Sequence, residues 1–196
     1  MRIFYNGDSW TWGYNLDNRN KRYVSLIDEE YNADSLDLSI HGCSNRTIVR
    51  TTLGIDLNGF DLGIINLTCK NRTEYYNEDI CKWEFINMGR KKRFSIKDIV
   101  SKKMQEYYEY VYSDTYGDTD EWIAYVSLKN YFKLHQIPLI LTTSQVSSKL
   151  DYDVILNTKD VPRCLTSQHP NQIGHKKIYE KINQVVQDKI QNVEIT

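Results

Sequence analysis

Leu62-Gly63-Ile64-Ile65-Asn66-Leu67 is a nearly continuous apolar run of strand length, the pattern of a strand buried on both faces and therefore of a parallel sheet. Upstream of it, Arg2 to Tyr5 has strand character and stops at Asn6-Gly7-Asp8-Ser9, four turn-forming residues in a row. Asp37-Leu38-Ser39-Ile40 reads as a second strand, ending at His41-Gly42. Downstream, Pro138-Leu139-Ile140-Leu141-Thr142-Thr143 is another buried strand, and Val154-Ile155-Leu156 a short final one. Segments of helical spacing lie between. Tyr23 to Tyr31 repeats through Val24 and Ile27. Ser44 or Asn45 caps a helix carrying Ile48, Leu53 and Leu57. Asp120 to His135 repeats through Ile123, Val126 and Leu128, and Gln172 to Gln191 puts Ile178, Ile182 and Val186 on one face. Strand and helix in alternation predict an α/β fold, with a parallel sheet covered on both faces.

Residues 69–117 fit this alternation least and read as an irregular insert in a single 1–196 domain. Within them, Lys82 to Asn87 and Lys91 to Ser95 predict a hairpin through Met88-Gly89-Arg90. Ile96 to Tyr112 predicts a Tyr-rich helix, broken by Asp114-Thr115-Tyr116-Gly117-Asp118.

Composition narrows the function classes. A net charge of −1 on 196 residues leaves no sustained basic face, which argues against a nucleic-acid partner. Arg90-Lys91-Lys92-Arg93, the one basic cluster, reads as a solvated turn. No stretch approaches the ~20 apolar residues of a membrane span, and the short run before Gly7 is no secretory signal, so a cytoplasmic protein is expected. Cys43, Cys69, Cys81 and Cys164 lack the close paired spacings of zinc sites and read as reduced thiols. No Gly-rich phosphate loop follows the first strand. Neither a metal nor a cofactor is expected. The oligomeric state is left open.

In an open parallel sheet, functional groups gather at the carboxyl ends of the strands. Asp8-Ser9, Gly42, Asn66-Leu67-Thr68 and, before the last helix, His169 all fall there. A serine hydroxyl is inert until a base takes its proton, and its attack on an ester leaves an oxyanion that needs donors in place beforehand. Ser9 sits in a strand-to-helix turn able to expose its hydroxyl. His169 stands before Pro170, which holds it extended at a helix start. His175, inside the helix, reads as a packing residue. Arg72 and Glu74, just beyond Thr68, could contact substrate from the loop, although a surface ion pair is the simpler reading, and His41 carries no assigned role.

Taken in order, Gly7-Asp8-Ser9, Gly42, the block Asn66-Leu67-Thr68 and His169-Pro170-Asn171 with Gly174-His175 resemble the sequence blocks of the SGNH/GDSL hydrolases. The first block, Gly7-Asp8-Ser9-Trp10-Thr11-Trp12-Gly13, is most similar to the small viral or phage-type forms. The resemblance implies a three-layer α/β/α, flavodoxin-like fold. It also implies hydrolysis of acetyl or short acyl esters on carbohydrate or lipid through an acyl-serine. Ser9 would be the nucleophile and His169 the base, with the N–H groups of Ser9 and Gly42 lining the oxyanion hole.

Two departures from the family pattern stand out. The third block of the family reads Gly-x-Asn-Asp, and Thr68 occupies the place of that Asn as the third oxyanion donor; Asn66 could replace it only with a shifted loop. The family places an acid three residues before the histidine, and here Arg163 to Gln168 holds no carboxylate. Asp160, Asp153 or a backbone carbonyl near Thr166 is left to orient the imidazole, with Asp8 and Asn66 as further support. These departures also admit a second expectation, a weakly active or inactive glycan-binding or virion-associated protein of the same fold.

Overall fold

The structure, a computed structural model, describes residues 1–86, 99–144, 148–157, 159–165 and 167–193. Five strands form one parallel sheet: β1 (Arg2–Gly7), β2 (Asp34–Asp37), β3 (Leu62–Leu67), β6 (Leu139–Thr143) and β7 (Val154–Ile155), in the order β2-β1-β3-β6-β7. The apolar run at 62–67 is the central strand and is buried throughout. Its register pairs Gly7 of β1 with Asn66, and Asn66 with Thr142 of β6, so the carboxyl ends of all three strands finish level.

Alternation along the strands builds two cores. Ile3, Tyr5, Ile64 and Ile140 point to one face, where α2 (Tyr23–Tyr31) and α6 (Gln172–Val193) bring Val24, Ile27, Ile178, Ile182 and Val186. Phe4, Ile65, Leu67 and Leu141 point to the other, against Ile48 of α3 (Asn45–Leu53) and Leu128 and Phe132 of α5 (Asp114–Leu134). Each such side chain contributes about 1.5–3 kcal/mol on burial, so both helical layers are held by many small gains. Gly63 is required by this packing, because a Cβ there would lie 2.1 Å from the Phe132 ring.

Several expected boundaries shift. The second strand is Asp34–Asp37 and not residues 37–40. Leu38 and Ile40 still donate to the carbonyls of Tyr5 and Gly7, at 3.0 Å each, but the chain leaves the ladder there and carries Gly42 across the end of β1. Lys82–Ile86 (β5) pairs antiparallel with Thr73–Asn77 (β4); the partner expected at 91–95, like the basic cluster at 90–93, lies outside the described residues. The Tyr-rich helix, α4, spans Ile99–Tyr110, and residues 96–98 are not described. The break expected at 114–118 is instead the start of α5, whose N-cap Ser113 accepts from the Tyr116 N–H. Gly117 is there for space, since a Cβ would meet the Tyr112 hydroxyl at 2.9 Å and the Lys70 carbonyl at 3.1 Å. The helix α3 stops at Leu53, and Leu57 is buried beyond it. No described helix is long and apolar enough to cross a membrane.

Candidate active site

Ser9 opens α1 (Ser9–Trp12), a single helical turn that starts immediately after β1. Asp8 is its N-cap and accepts from the Trp10 N–H at 3.0 Å. Gly13 ends the turn in a left-handed conformation, φ +81°, which glycine adopts without a Cβ penalty. A tight approach fixes how this turn sits on the sheet. A Cβ on Gly7 would lie 2.2 Å from the Thr11 hydroxyl, and that hydroxyl in turn receives a hydrogen bond from Tyr23 of α2 at 2.9 Å.

His169 comes from the loop before α6. Ser9 Oγ and His169 Nε2 are 3.0 Å apart, although 160 residues separate them in the chain. The other ring nitrogen, Nδ1, is 3.0 Å from the Ser167 carbonyl oxygen. A carbonyl can only accept, so Nδ1 carries the proton and the Nε2 lone pair faces the serine hydroxyl. Burial lowers the His169 pKa, against the opposing pull of Asp8 and of the Ser167 carbonyl, and the charges of His41 and Arg72 lower it further. The imidazole is therefore neutral and able to accept a proton at pH 7.

The loop that carries His169 is tied by its main chain. Cys164 N–H donates to the His169 carbonyl at 2.8 Å, Gln168 N–H to the Cys164 carbonyl at 3.0 Å, and Arg163 bridges Pro170. Gln168 adopts φ +62° to close this turn, a conformation that is uncommon and costly for a residue with a Cβ.

The carboxylates expected near His169 lie elsewhere. Asp160 is 3.8 Å from Lys181 Nζ on the surface. Asp153 accepts from the Leu141 N–H at 2.8 Å and pairs with Lys189 at 3.0 Å. Of the alternatives, the backbone carbonyl is the one in contact with the ring, one residue beyond the position expected.

Asp8 is the hub of the network next to Ser9, 2% exposed. Besides Trp10 it accepts from Asn66 Nδ2 at 3.2 Å, Thr68 Oγ1 at 2.7 Å and Arg72 Nη1 at 3.0 Å. In this arrangement the Thr68 hydroxyl, expected as the third oxyanion donor, gives its proton to Asp8. Asn45 fixes that residue through its main chain, accepting from the Thr68 N–H at 2.8 Å and donating to the Thr68 carbonyl at 3.2 Å. Asn66 supports Asp8 from β3 and accepts from Thr142 at 2.9 Å.

Arg72 is also corrected. It is no surface residue but the buried counter-ion of Asp8, with their side chains 13% and 3% exposed. Its Nη1 further donates to Thr68 Oγ1 at 2.7 Å and lies 3.4 Å from the Cys43 carbonyl. Its Nε is buried without a partner among the described residues, a state that costs about 1–3 kcal/mol for an ordinary donor. Glu74 accepts from Arg50 through both oxygens, at 2.9 and 2.7 Å, and not from Arg72. The signal for Arg72 was present in the sequence: a carboxylate at a buried strand end, next to the nucleophile, requires a cation.

Gly42 lies in the loop that crosses the end of β1, with φ +78°, and its neighbour Cys43 donates through Sγ to the Gly7 carbonyl at 3.4 Å. His41 stacks flat on Tyr14, 3.9 Å between centroids and 4° between planes, and Tyr14 meets the His169 ring edge-on at 4.8 Å. Ser9 is 1% exposed. His175 is a packing residue, fully buried, and accepts weakly from the Tyr23 N–H at 3.4 Å. Burial pushes its pKa down to about 4. Among the described residues, no cluster of three or more His, Cys, Asp or Glu side chains is arranged to hold a metal.

No family model matches the chain, and no curated protein matches it in sequence. Solved structures do match in fold. A psychrotrophic esterase from Pseudoalteromonas sp., inhibited by monoethylphosphonate, superposes with a TM-score of 0.56 at 11% identity, over 97% of this chain and 98% of that one. A family two carbohydrate esterase from Clostridium thermocellum in complex with cellohexaose gives 0.55 at 12% identity, over 97% of this chain; the match spans 65% of that longer protein. A lipase from a goat rumen metagenome gives 0.53 at 14% identity, over 94% of this chain and 96% of the lipase. The chain has the α/β fold of the SGNH hydrolases.

Proposed function

We propose that this chain is a serine ester hydrolase that removes acetyl or other short acyl groups from a carbohydrate or lipid. The observation that carries the proposal is the 3.0 Å contact between Ser9 Oγ and His169 Nε2, with the Ser167 carbonyl holding the opposite ring nitrogen. His169 takes the Ser9 proton as Oγ attacks the ester carbon, and returns it to the departing alkoxide as the C–O bond breaks. Water then attacks the acyl-Ser9, giving its proton to His169, and Ser9 recovers a proton as the acid leaves. The N–H groups of Ser9 and Gly42 face the oxyanion in both steps. Because Ser9 is 1% exposed, a small acyl group fits this nucleophile better than a long chain. The esterases of the same fold support the reaction class.

A fluorophosphonate probe should label the wild-type protein and fail on Ser9→Ala, and turnover of short-chain aryl esters should disappear with the same substitution. A wild-type protein that takes no label and turns over no ester is not a hydrolase; retention of glycans on an array by that protein would make it a carbohydrate-binding member of this fold.

A further inference from the structure

The hydrolase reading leaves the oxyanion with two main-chain donors, because the hydroxyl of Thr68 is committed to Asp8. We propose that Arg72 is the third oxyanion donor, its guanidinium taking the place that a side-chain amide would hold in the third block. This inference rests on the assignment of Ser9 and His169 above.

One guanidinium nitrogen touches every segment that delivers a donor. Nη1 of Arg72 bonds Asp8, the residue before Ser9; it bonds Thr68, in the third block; and it lies against the carbonyl of Cys43, the residue after Gly42. Those contacts hold the group in place before any substrate arrives, which is the condition for a donor to stabilise a transition state without reorganising. They also use only Nη1. Nε is buried and unpartnered, and Nη2 makes no hydrogen bond among the described residues. A donor left unpaired on the side chain that grips the residue before Ser9 suits a group whose acceptor exists only during the reaction.

Charge points the same way. An oxyanion forming next to the buried Asp8 carboxylate would be repelled by it. The positive guanidinium of Arg72, paired with Asp8 at 3.0 Å, cancels that repulsion and supplies attraction of its own. No proton leaves Arg72: the C=O electron pair moves onto oxygen when Ser9 attacks, is held there by the N–H donors, and returns when the ester C–O bond breaks.

The competing role, a counter-ion for Asp8 and nothing more, is separated by a double-mutant cycle. Arg72→Met, Asp8→Asn and the double variant are compared by kcat on a short-chain aryl ester and by the rate of phosphonylation with a fluorophosphonate, whose phosphoryl oxygen takes the oxyanion's place and gains negative charge as Ser9 displaces fluoride. Asp8→Asn removes the charge that needs neutralising, so the double variant folds without an unpaired buried ion even if Arg72→Met alone does not. If Arg72 is the donor, adding Arg72→Met to Asp8→Asn lowers kcat and the phosphonylation rate by about 10²-fold, with KM little changed. If the double variant stays within about twofold of Asp8→Asn, Arg72 is only a counter-ion and the hydrolase reading stands. If the wild type reacts with neither reagent, both fall together.

Discussion

Ser9 and His169 reach their shared hydrogen bond by opposite means. Ser9 is delivered by a core strand, and its neighbour Asp8 is gripped by three side chains, Asn66, Thr68 and Arg72, from a single stretch of chain. His169 is delivered by a loop whose geometry is written in main-chain bonds, through Cys164, Ser167 and Gln168. Side-chain grips are strong and easily broken by one substitution. Main-chain grips survive most substitutions and yield mainly to changes in backbone preference. The two halves of the site should therefore fail in different ways.

The largest effect is expected on the nucleophile's side. Asp8→Ala removes the N-cap of α1 and leaves Arg72 buried without its counter-ion, a loss of about 3–5 kcal/mol. Chemical denaturation should show it as a lower midpoint with an unchanged slope. Wild-type stability in Asp8→Ala would break the comparison by showing that the ion pair holds nothing.

On the base's side, Gln168→Val puts a β-branched residue where φ is +62° and should cost about 1–2 kcal/mol. Gln168→Gly should match or exceed the wild type, because glycine enters that conformation freely. Thermal melts of the pair read the difference. Equal melting temperatures would mean that the loop relaxes and that its main chain does not set the position of His169.

The smallest effect sharpens the point. Asp160→Asn should leave kcat/KM within about twofold of wild type, since an exposed pair with Lys181 contributes little. The acid limb of the pH profile should not move either. That limb belongs to His169, which must be neutral to act as base. Burial lowers its pKa, so activity rises with pH and reaches its half-point below the ordinary histidine value of about 6.5. A limb that shifts in Asp160→Asn would make this carboxylate the missing acid after all.

The contrast also explains what could be read from residues alone. The run at 62–67 announced its strand because both faces are buried, so every position except Asn66 is apolar or glycine. Ser9 and His169 were singled out because serine-hydrolase chemistry would need such side chains at strand ends, and the structure brings them to 3.0 Å. Ser167 was not, since its contact with the imidazole is made by a carbonyl oxygen that any residue possesses, with its hydroxyl only accepting from the His169 N–H at 3.3 Å. The link between Asp8 and Arg72 spans 64 positions and follows no local period. Asp34–Asp37 was missed as a strand because, at the sheet's edge and half exposed, it carries two aspartates in four residues. Gly117 misled because glycine in a helix resembles a break when its reason is a neighbouring ring and carbonyl.

That same edge has a consequence for how copies of the chain behave in a crowded solution. The parallel sheet ends on β2, four residues bearing Asp34 and Asp37, and on β7, only two residues long. A sheet edge is a template for another chain in proportion to its length and apolarity. Here one border is acidic and the other is too brief to seed a ladder, so these two borders resist edge-to-edge aggregation.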